Sequence, residues 1–344
     1  SYFYNSGIKG IGLQTGGTLT NVVALNQAQL ETQSSYVGFD FTNTWQMPAD
    51  GTYVYATLQG LDMVALPEVN TTDYAGGLGT VYNPYQINTK EQLNNVRKNL
   101  GAHYLLLNDL EFYPSDFAEG GAFYNSGSGW QPIGSGPLAQ FGGLFDGNGY
   151  SITGLQIRAS VASGSTGYFG LFGCSVGTIR NLELLETDIE VSGAGTAYTG
   201  GLAGYNKGGT ISQINHSGSV IGTRYTGGIL GLASSSTVDR ITNHGAVVAS
   251  GQTGGLIGYQ ENGTLSLAYN TGAVNGGSTT GGLVGWGSGT IKNGYNSGSV
   301  DSSSGAAGGI AGWISGEISN TFNTGDVSGG GNVGGITGEA QNSV

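Results

Sequence analysis

The sequence predicts an all-β fold, a three-sided parallel β-solenoid (β-helix) with about 27 residues per coil and one short capping α-helix. The first observation is the phrase Gly-Gly-[Leu/Ile]-x-Gly, which recurs six times at steps of 27, 27, 27, 27 and 26 residues. Its glycine pairs are Gly200-Gly201, Gly227-Gly228, Gly254-Gly255, Gly281-Gly282, Gly308-Gly309 and Gly334-Gly335. A repeat of this length indicates a solenoid, whose units bury a core only by stacking on one another.

The second observation is that each repeat carries three apolar positions, separated by glycine and small polar residues. The first set is Leu202, Ile229, Leu256, Leu283, Ile310 and Ile336; the second is Ile211, Val238, Leu265, Ile291, Ile318 and Val344; the third is Val220, Val247, Val274, Val300 and Val327. Short apolar segments bounded by turn residues favour strands over helices. Equivalent positions of successive coils would then stack about 4.8 Å apart.

The third observation is a polar position that follows the same period. It is occupied by His216, Asn243, Asn270, Asn296 and Asn323. Asparagines stacked in register can join their side-chain amides along the axis of a β-structure. The glycines beside them suit corners of the coil, where a positive φ is costly for other residues.

The extent of the 27-residue period divides the chain into segments. Residues 142–344 are predicted to be the solenoid coils, the last one incomplete, and residues 81–141 an N-terminal cap with the first strands. The cap contains a helix at about 89–100, because Thr89 and Gln92 have capping-box spacing and Gly101 suits the stop. Residues 1–60 read as the final half-coil and closing element of a solenoid, and 61–80 as a linker or crossover.

The two ends of the chain match each other in phase. Tyr4-Asn5-Ser6-Gly7 repeats the pattern of Tyr295-Asn296-Ser297-Gly298, and the last coil lacks this step. The pattern predicts a junction between subunits or repeats at Ser1, Tyr2, Phe3, Tyr4, Asn5 and Gly7 on one side and Gly334, Gly335, Ile336 and Val344 on the other. Three arrangements fit: a longer tandem protein, separate subunits joined head to tail into a filament, or a segment trimmed within a repeat array.

The charge and composition of the chain restrict the classes of partner that it could bind. The chain has a net charge of −12 with ten Lys and Arg, which argues against nucleic acid and anionic membrane surfaces. There is no apolar run long enough to span a membrane, so no membrane insertion is expected. An acidic, sparsely charged chain fits an extracellular or cell-surface location. Cys174 is the single cysteine, and we expect it to be a small buried residue.

Several phrases resemble the GLUG repeat of bacterial and archaeal surface proteins. They are Gly-Gly-Leu-Val-Gly-Trp at 281–286, Gly-Thr-Ile-Lys-Asn at 289–293 and Tyr-Asn-Ser-Gly-Ser-Val at 295–300. The opening also resembles that family, at Asn83 to Ile87, Trp130 to Gly134 and Phe145 to Gly149, whereas Tyr53-Val54-Tyr55 departs from its usual Tyr-Pro-Tyr-like ending. The resemblance implies an adhesin-like parallel β-solenoid at the cell surface, with the closing element placed before the beginning. It implies no defined ligand.

A search for catalytic patterns gives little. The acids of the array, Asp239, Glu261, Asp301, Glu317, Asp326 and Glu339, occupy different phases, so no two stack as glycoside cleavage would need. Asp109 and Glu111 share one face of a strand. The three histidines have no His-Glu-x-x-His spacing, and Asp146-Gly147-Asn148-Gly149 favours a tight turn over a calcium loop. We therefore expect no catalytic residue, no metal and no cofactor.

The aromatic residues give a better binding hypothesis. Tyr205, Tyr259, Trp286 and Trp313 share one phase, interrupted by Leu232, and Tyr269, Tyr295 and Phe322 share another with Tyr4. Rows of rings at coil spacing could stack on sugar rings or pack against a neighbouring filament. Alternatively the rings stack on one another and stiffen the rod.

The functional expectation is a non-enzymatic extracellular structural protein. Its N-terminal strand would complete the last coil of a neighbouring copy and build a fibre or stalk. The alternative is a cell-surface adhesin module that binds glycans or host surface proteins. A third hypothesis is a carbohydrate-active β-helix enzyme.

Overall fold

The computed structural model describes residues 72–341 continuously and short stretches before them, at 2–4, 23–25, 34, 36, 39–43, 45–46 and 57–58. The chain divides into two compact units, Ser1–Val69 and Asn70–Val344. In the first unit, strand Tyr2–Tyr4 pairs in parallel with Val23–Leu25. Strand Trp45–Gln46 pairs antiparallel with Thr57–Leu58. Of the predicted junction, Ser1, Asn5, Gly7 and Val344 lie outside the described residues, so the junction and the domain boundaries stay predictions.

The second unit is a parallel β-solenoid with three sheets, which confirms the predicted fold class. Sheet 1 contains Tyr85–Ile87, Tyr104–Leu106, Leu110–Glu111, Leu144–Asp146, Ser151–Thr153, Gln156–Ser160, Thr178–Ser192, Thr210–Gly222, Thr237–Asn243, Ala246–Ala249, Thr264–Asn270, Val274–Gly276, Thr290–Asn296, Val300–Ser302, Glu317–Ser319, Phe322–Asn323 and Val327–Gly329. Sheet 2 contains Thr166–Phe169, Thr196–Gly200, Tyr225–Gly227, Gln252–Gly254, Thr280–Gly281, Ala307–Gly308 and Val333–Gly334. Sheet 3 contains Phe172–Ser175, Ala203–Lys207, Leu230–Ser234, Ile257–Glu261, Val284–Gly287, Ala311–Ile314 and Thr337–Ala340.

The three apolar sets stack as the repeat predicts. In sheet 1, the second set is paired in register from Ile211 to Ile318 and the third from Val220 to Val327. The first set lies at the turn between sheets 2 and 3, where the Leu202 backbone N–H donates to the Ile229 carbonyl at 3.0 Å. Nearly all of these side chains are fully buried until the last described coil. The core is therefore a column of like residues along the axis.

The predicted asparagine ladder is present as a continuous chain of hydrogen bonds. Asn243 Nδ2 donates to Asn270 Oδ1 at 2.9 Å, Asn270 Nδ2 to Asn296 Oδ1 at 2.8 Å, and Asn296 Nδ2 to Asn323 Oδ1 at 2.7 Å. Each Nδ2 also donates to the carbonyl of the glycine two residues on, at 2.8 or 2.9 Å. Every side-chain amide thus points the same way, so the ladder has a polarity.

The ladder explains the second glycine of four of the six Gly-Gly pairs. A Cβ on Gly255 would lie 2.5 Å from Asn270 Cγ and 2.1 Å from the Gly282 carbonyl oxygen, and Gly228, Gly282 and Gly309 meet the ladder in the same way. Contacts this short are not tolerated, so the side-chain amide needs a glycine opposite it. The glycine repeat and the asparagine repeat are two halves of one packing arrangement.

The cap at the start of the second unit has the helix Lys90–Asn95, continued by a 3₁₀ turn at Val96–Lys98. Thr89 is its N-cap and accepts a hydrogen bond from the Gln92 backbone N–H. Gln92 Oε1 accepts from the Asn88 N–H at 2.7 Å. The sequence did not predict the single-turn helix Pro114–Phe117 or the 3₁₀ turn Asn125–Gly127.

Two local predictions concern the first coils. Asp146-Gly147-Asn148-Gly149 forms a tight turn in which Asp146 Oδ1 accepts from the Asn148 N–H at 2.9 Å and the Tyr150 N–H donates to the Gly147 carbonyl. Cys174 is fully buried, and burial raises the pKa of its thiol to about 12. The surroundings of Asp146, a turn hydrogen bond, and of Cys174, the buried core, are those of structural residues.

We predict that Asn270→Ala destabilises the solenoid by about 3 kcal/mol. The change leaves one N–H of the Asn243 amide, the Gly272 carbonyl and Asn296 Oδ1 without the partner that Asn270 supplies. Chemical unfolding followed by circular dichroism measures the change. The matched control is Asn275→Ala, an exposed asparagine in the next strand of the same coil, for which we expect a change below about 0.5 kcal/mol. Equal effects of the two substitutions would contradict the role of the ladder.

Candidate functional site

A continuous line of aromatic rings in contact, which we call the aromatic stripe, runs along sheets 2 and 3; its rings stack except between Tyr259 and Trp286, which meet edge-on at 79°. It consists of Tyr168, Tyr198, Tyr225, Tyr259, Trp286 and Trp313. Successive centroids lie 5.3, 4.8, 5.5, 4.8 and 4.3 Å apart, and the Trp286 and Trp313 planes are 6° from parallel. All six rings are half-buried, and burial raises the pKa of the Tyr198 hydroxyl to about 12.

The stripe corrects the row that the sequence predicted. Tyr205, Leu232, Tyr259, Trp286 and Trp313 do share a register in sheet 3. Tyr225, from sheet 2, bridges the gap at Leu232, and Tyr205 stacks beside Tyr168 and Tyr198. Sequence reasoning missed Tyr198 and Tyr225, although they are 27 residues apart.

The second predicted aromatic row lies in sheet 1 and is more exposed. Tyr269, Tyr295 and Phe322 are register partners, and the Tyr295 and Phe322 rings stack at 4.4 Å. Tyr269 is 41% exposed and Phe322 57%. The proposed continuation through Tyr4 is a prediction that nothing in the structure tests.

The last described coil presents an apolar surface, which we call the open face. Ile336 is 40% exposed and Val333 48%, whereas their counterparts one coil earlier, Ile310 and Ala307, are fully buried. Ile314, Ile318 and Ile336 line a cavity of about 330 Å³ there. Asn323 has one N–H bonded to the Gly325 carbonyl, and its other N–H has no acceptor among the described residues.

The other end of the ladder is closed inside the solenoid by His216. Its Nδ1–H donates to Asn243 Oδ1 at 2.7 Å, and its Nε2 accepts from the Thr187 hydroxyl at 2.7 Å. One coil earlier, the register partner of His216 is the apolar Leu184. Complete burial lowers the pKa of His216 to about 4, so the ring is neutral at pH 7.

The acidic and histidine candidates are engaged in local hydrogen bonds. Asp109 Oδ1 accepts from the Ser151 N–H and hydroxyl, and Glu111 accepts from the Tyr113 hydroxyl at 2.7 Å. His103 Nδ1 accepts from the Leu144 N–H, and His244 bonds Thr271. Within the described residues, no three His, Cys, Asp or Glu side chains are grouped so that they could hold a metal ion. Over the same residues, no helix is long and apolar enough to cross a membrane.

Two relatives by sequence match part of this chain. A protein named "Putative Gly-rich membrane protein" from Evansella cellulosilytica is 39% identical over 145 residues, which is 41% of this chain and 15% of the relative. Halomucin of Haloquadratum walsbyi is 32% identical over 147 residues, which is 42% of this chain and 2% of the relative. The match thus spans a small part of each relative. No protein-family model matches the chain, so the GLUG resemblance stays a prediction.

Two solved structures share the fold. One is titled as a putative immunoglobulin A1 protease from Bacteroides ovatus, with a TM-score of 0.58, 22% identity, and coverage of 78% of this chain and 87% of that one. The other is titled "IgA1 Protease", with a TM-score of 0.53, 19% identity, and coverage of 83% of this chain and 21% of that one. Identities this low establish the fold alone.

The expectation that the chain is not an enzyme is contradicted by these structures, because proteins titled as proteases carry the same solenoid. The sequence argument tested only stacked carboxylates for glycoside cleavage and one metalloprotease motif. Proteases use several kinds of catalytic residue, and these two patterns do not cover all of them. The supported description is a glycine-rich β-solenoid protein similar to proteins named as a membrane protein and a halomucin.

We predict that His216→Asn removes a pH dependence of stability. Because the folded pKa is about 4 and the unfolded value about 6.5, the unfolded chain takes up a proton first as pH falls. The contribution of His216 is therefore fully present above pH 6.5 and is lost between pH 6.5 and 4, by about 3 kcal/mol. Urea unfolding at both pH values measures it in the two proteins. Identical pH profiles of the wild type and the variant would contradict the assignment.

Proposed function

We propose that this chain is a cell-surface β-solenoid module that extends end to end by coil completion. The first strand of one copy, Tyr2–Tyr4 with the adjoining Asn5 to Gly7, adds to the coil that begins at Gly334-Gly335-Ile336 of another copy. The result is a fibre or stalk. The observation that carries the proposal is the open face, where residues equivalent to buried core become exposed.

The apolar character of the open face supports addition of a further coil. Within the array, each coil buries the side chains of the one before it, so Ile310 is covered by the coil that contains Ile336. Burial of apolar surface contributes about 25 cal/mol per Å². An incoming coil therefore gains the most free energy by burying the apolar side chains of Ile318, Phe322, Val333 and Ile336.

The polarity of the ladder supports a defined partner. Asn323 carries the N–H that, at every earlier step, donates to the Oδ1 of the next asparagine. The next coil must therefore supply a side-chain carbonyl at the position equivalent to Asn323, followed two residues later by glycine. Asn5 and Gly7 have this spacing, with Tyr4 in the phase of Phe322.

The conformation of the first strand is compatible with the proposal. Tyr2–Tyr4 is extended and pairs in parallel with Val23–Leu25, as coils in the array pair with their successors. Its sheet has two strands in the described part of the chain. In the proposal, the edge of Tyr2–Tyr4 opposite Val23–Leu25 pairs with the preceding coil, also in parallel.

The names of the sequence relatives support a surface setting for the module. One is named as a membrane protein and the other as a halomucin. The net charge of −12 and the small share of charged residues, 9%, suit a rod whose lateral surfaces repel one another weakly while its end is apolar.

We predict that the purified 344-residue chain forms fibres whose length grows with concentration, and that deletion of residues 1–7 or Ile336→Lys stops this growth. Lysine on the open face places a charge where the next coil must pack, yet the site is exposed in the single chain, so folding is retained. Negative-stain electron microscopy measures the lengths. The control is Asn275→Lys, which adds the same charge on a lateral face. Fibres of normal length from the deletion variant would contradict coil completion.

A second candidate is an adhesin module, favoured by the aromatic stripe. The solvent-exposed edges of the half-buried rings form a continuous apolar line that a sugar can contact, and Trp286 and Trp313 form its most closely stacked pair. We predict that glycan binding by this surface is lost in Trp286→Ala and Trp313→Ala, measured by glycan array. Retained binding in both variants would eliminate the stripe as the binding surface.

A further inference from the structure

Sheet 1 carries a second feature that neither the end-joining proposal nor the aromatic stripe uses. A cavity of about 490 Å³ opens on its outer face over several successive coils. We call it the polar groove, and its lining includes Asn181, Glu183, Gln213, Asn215, Arg240 and Thr242. Since the groove lies in sheet 1 and the Trp286–Trp313 pair in sheet 3, the two surfaces can be tested separately.

The groove holds hydrogen-bonding groups that the fold leaves unused. The structure gives no hydrogen bond within residues 72–341 to the side chains of Glu183, Gln213, Asn215 or Thr242. Asn215 Oδ1 is buried without any partner. An unpaired buried acceptor costs free energy, and Asn215 is one of the residues that line the groove. These groups can donate to and accept from a ligand.

The backbone beneath the groove has one residue at positive φ in each coil. Each coil turns a corner of sheet 1 with a residue at positive φ: Asn148, Asn181, Gln213, Arg240, Leu267, Asn293 and Asn320, with φ between 49° and 56°. Asparagine tolerates this conformation best, and it occupies four of the seven corners. Two of the three exceptions, Gln213 and Arg240, line the groove. Strained residues of unfavourable type point to a role for the side chain.

The groove continues into the exposed aromatic row. Glu183, Asn215, Thr242, Tyr269, Tyr295 and Phe322 are successive register partners along the axis. At about 4.8 Å per step, this row is roughly 24 Å long. Its first half presents amide, hydroxyl and carboxylate groups, and its second half presents exposed rings.

We propose that this row is a binding site for an extended neutral oligosaccharide lying parallel to the solenoid axis. Hydroxyl groups of a sugar both donate and accept, which matches the mixed amide, hydroxyl and carboxylate lining. The C–H faces of sugar rings stack on exposed aromatic rings such as Tyr269. Glu183 and the chain's net charge of −12 disfavour polyanions, and the Arg240 guanidinium is already paired with the Asp239 carboxylate.

Binding is tested with the full 344-residue chain by titration calorimetry against cellohexaose, chitohexaose and mannohexaose, with hexagalacturonate and a neutral extended peptide as comparison probes. We expect at least one neutral hexasaccharide to bind. Asn215→Ala and Tyr269→Ala then weaken it about tenfold or more. Asn275→Ala, on another exposed row of sheet 1, leaves it unchanged. Thermal unfolding by circular dichroism verifies that each variant is folded.

Gln213→Asn separates a binding role from a structural one. Asparagine suits the corner better than glutamine, so the variant is expected to unfold at the same or a higher temperature, yet the shorter side chain weakens oligosaccharide binding. A residue with only a structural role would leave binding unchanged.

Three results would overturn the proposal. The first is no binding of any neutral hexasaccharide. The second is tighter binding of hexagalacturonate or the peptide. The third is binding that Trp286→Ala abolishes and Asn215→Ala leaves intact, because the ligand would then lie on the aromatic stripe. Each result is independent of whether the chain forms fibres.

Discussion

The pairing of each buried side-chain amide of the ladder with a glycine at the turn between sheets 2 and 3 is the constraint on which the solenoid depends. Asn270 fits because Gly255 has no Cβ, and it bonds forward to Asn296 at 2.8 Å. The contact recurs in each coil from Asn243 to Asn323, and the ladder bond is kept whether the step is 27 residues or, from Asn270 to Asn296, 26. The uniform period of about 27 residues follows from this contact as much as from the apolar core.

The inward-facing residues were predictable from the sequence because their neighbours are copies of themselves. Each inward position meets its own equivalent one coil away, so period alone gives the partner, as it does for Ile211 with Val238. The aromatic stripe was only partly predictable, since Tyr225 of sheet 2 meets Tyr259 of sheet 3. Contacts between sheets depend on side-chain reach, which a period does not encode. The polar groove was missed because Gln213 and Arg240 share a position only with unlike residues.

Outward positions can vary along the axis, and this freedom lets one rod carry different surfaces. A single row of sheet 1 changes from Glu183 and Asn215 to Tyr269 and Phe322 without altering the backbone register. The two structures titled as IgA1 proteases are 22% and 19% identical to this chain, so they share its fold, and a fold by itself does not define an activity. Function must be argued from the side chains of each row.

The two ends of the asparagine ladder are not equivalent, and this gives the proposed end-to-end joining a direction. At the His216 end, the acceptor Nε2 is satisfied by Thr187, and the apolar Leu184 follows in the preceding coil. At the Asn323 end, one N–H has no acceptor within residues 72–341, and it lies beside exposed Phe322 and Ile336. In the proposed joining, a further coil therefore extends the ladder at this end. End-to-end joining of this module requires a partner that begins with an acceptor, which is the property that Asn5 would supply.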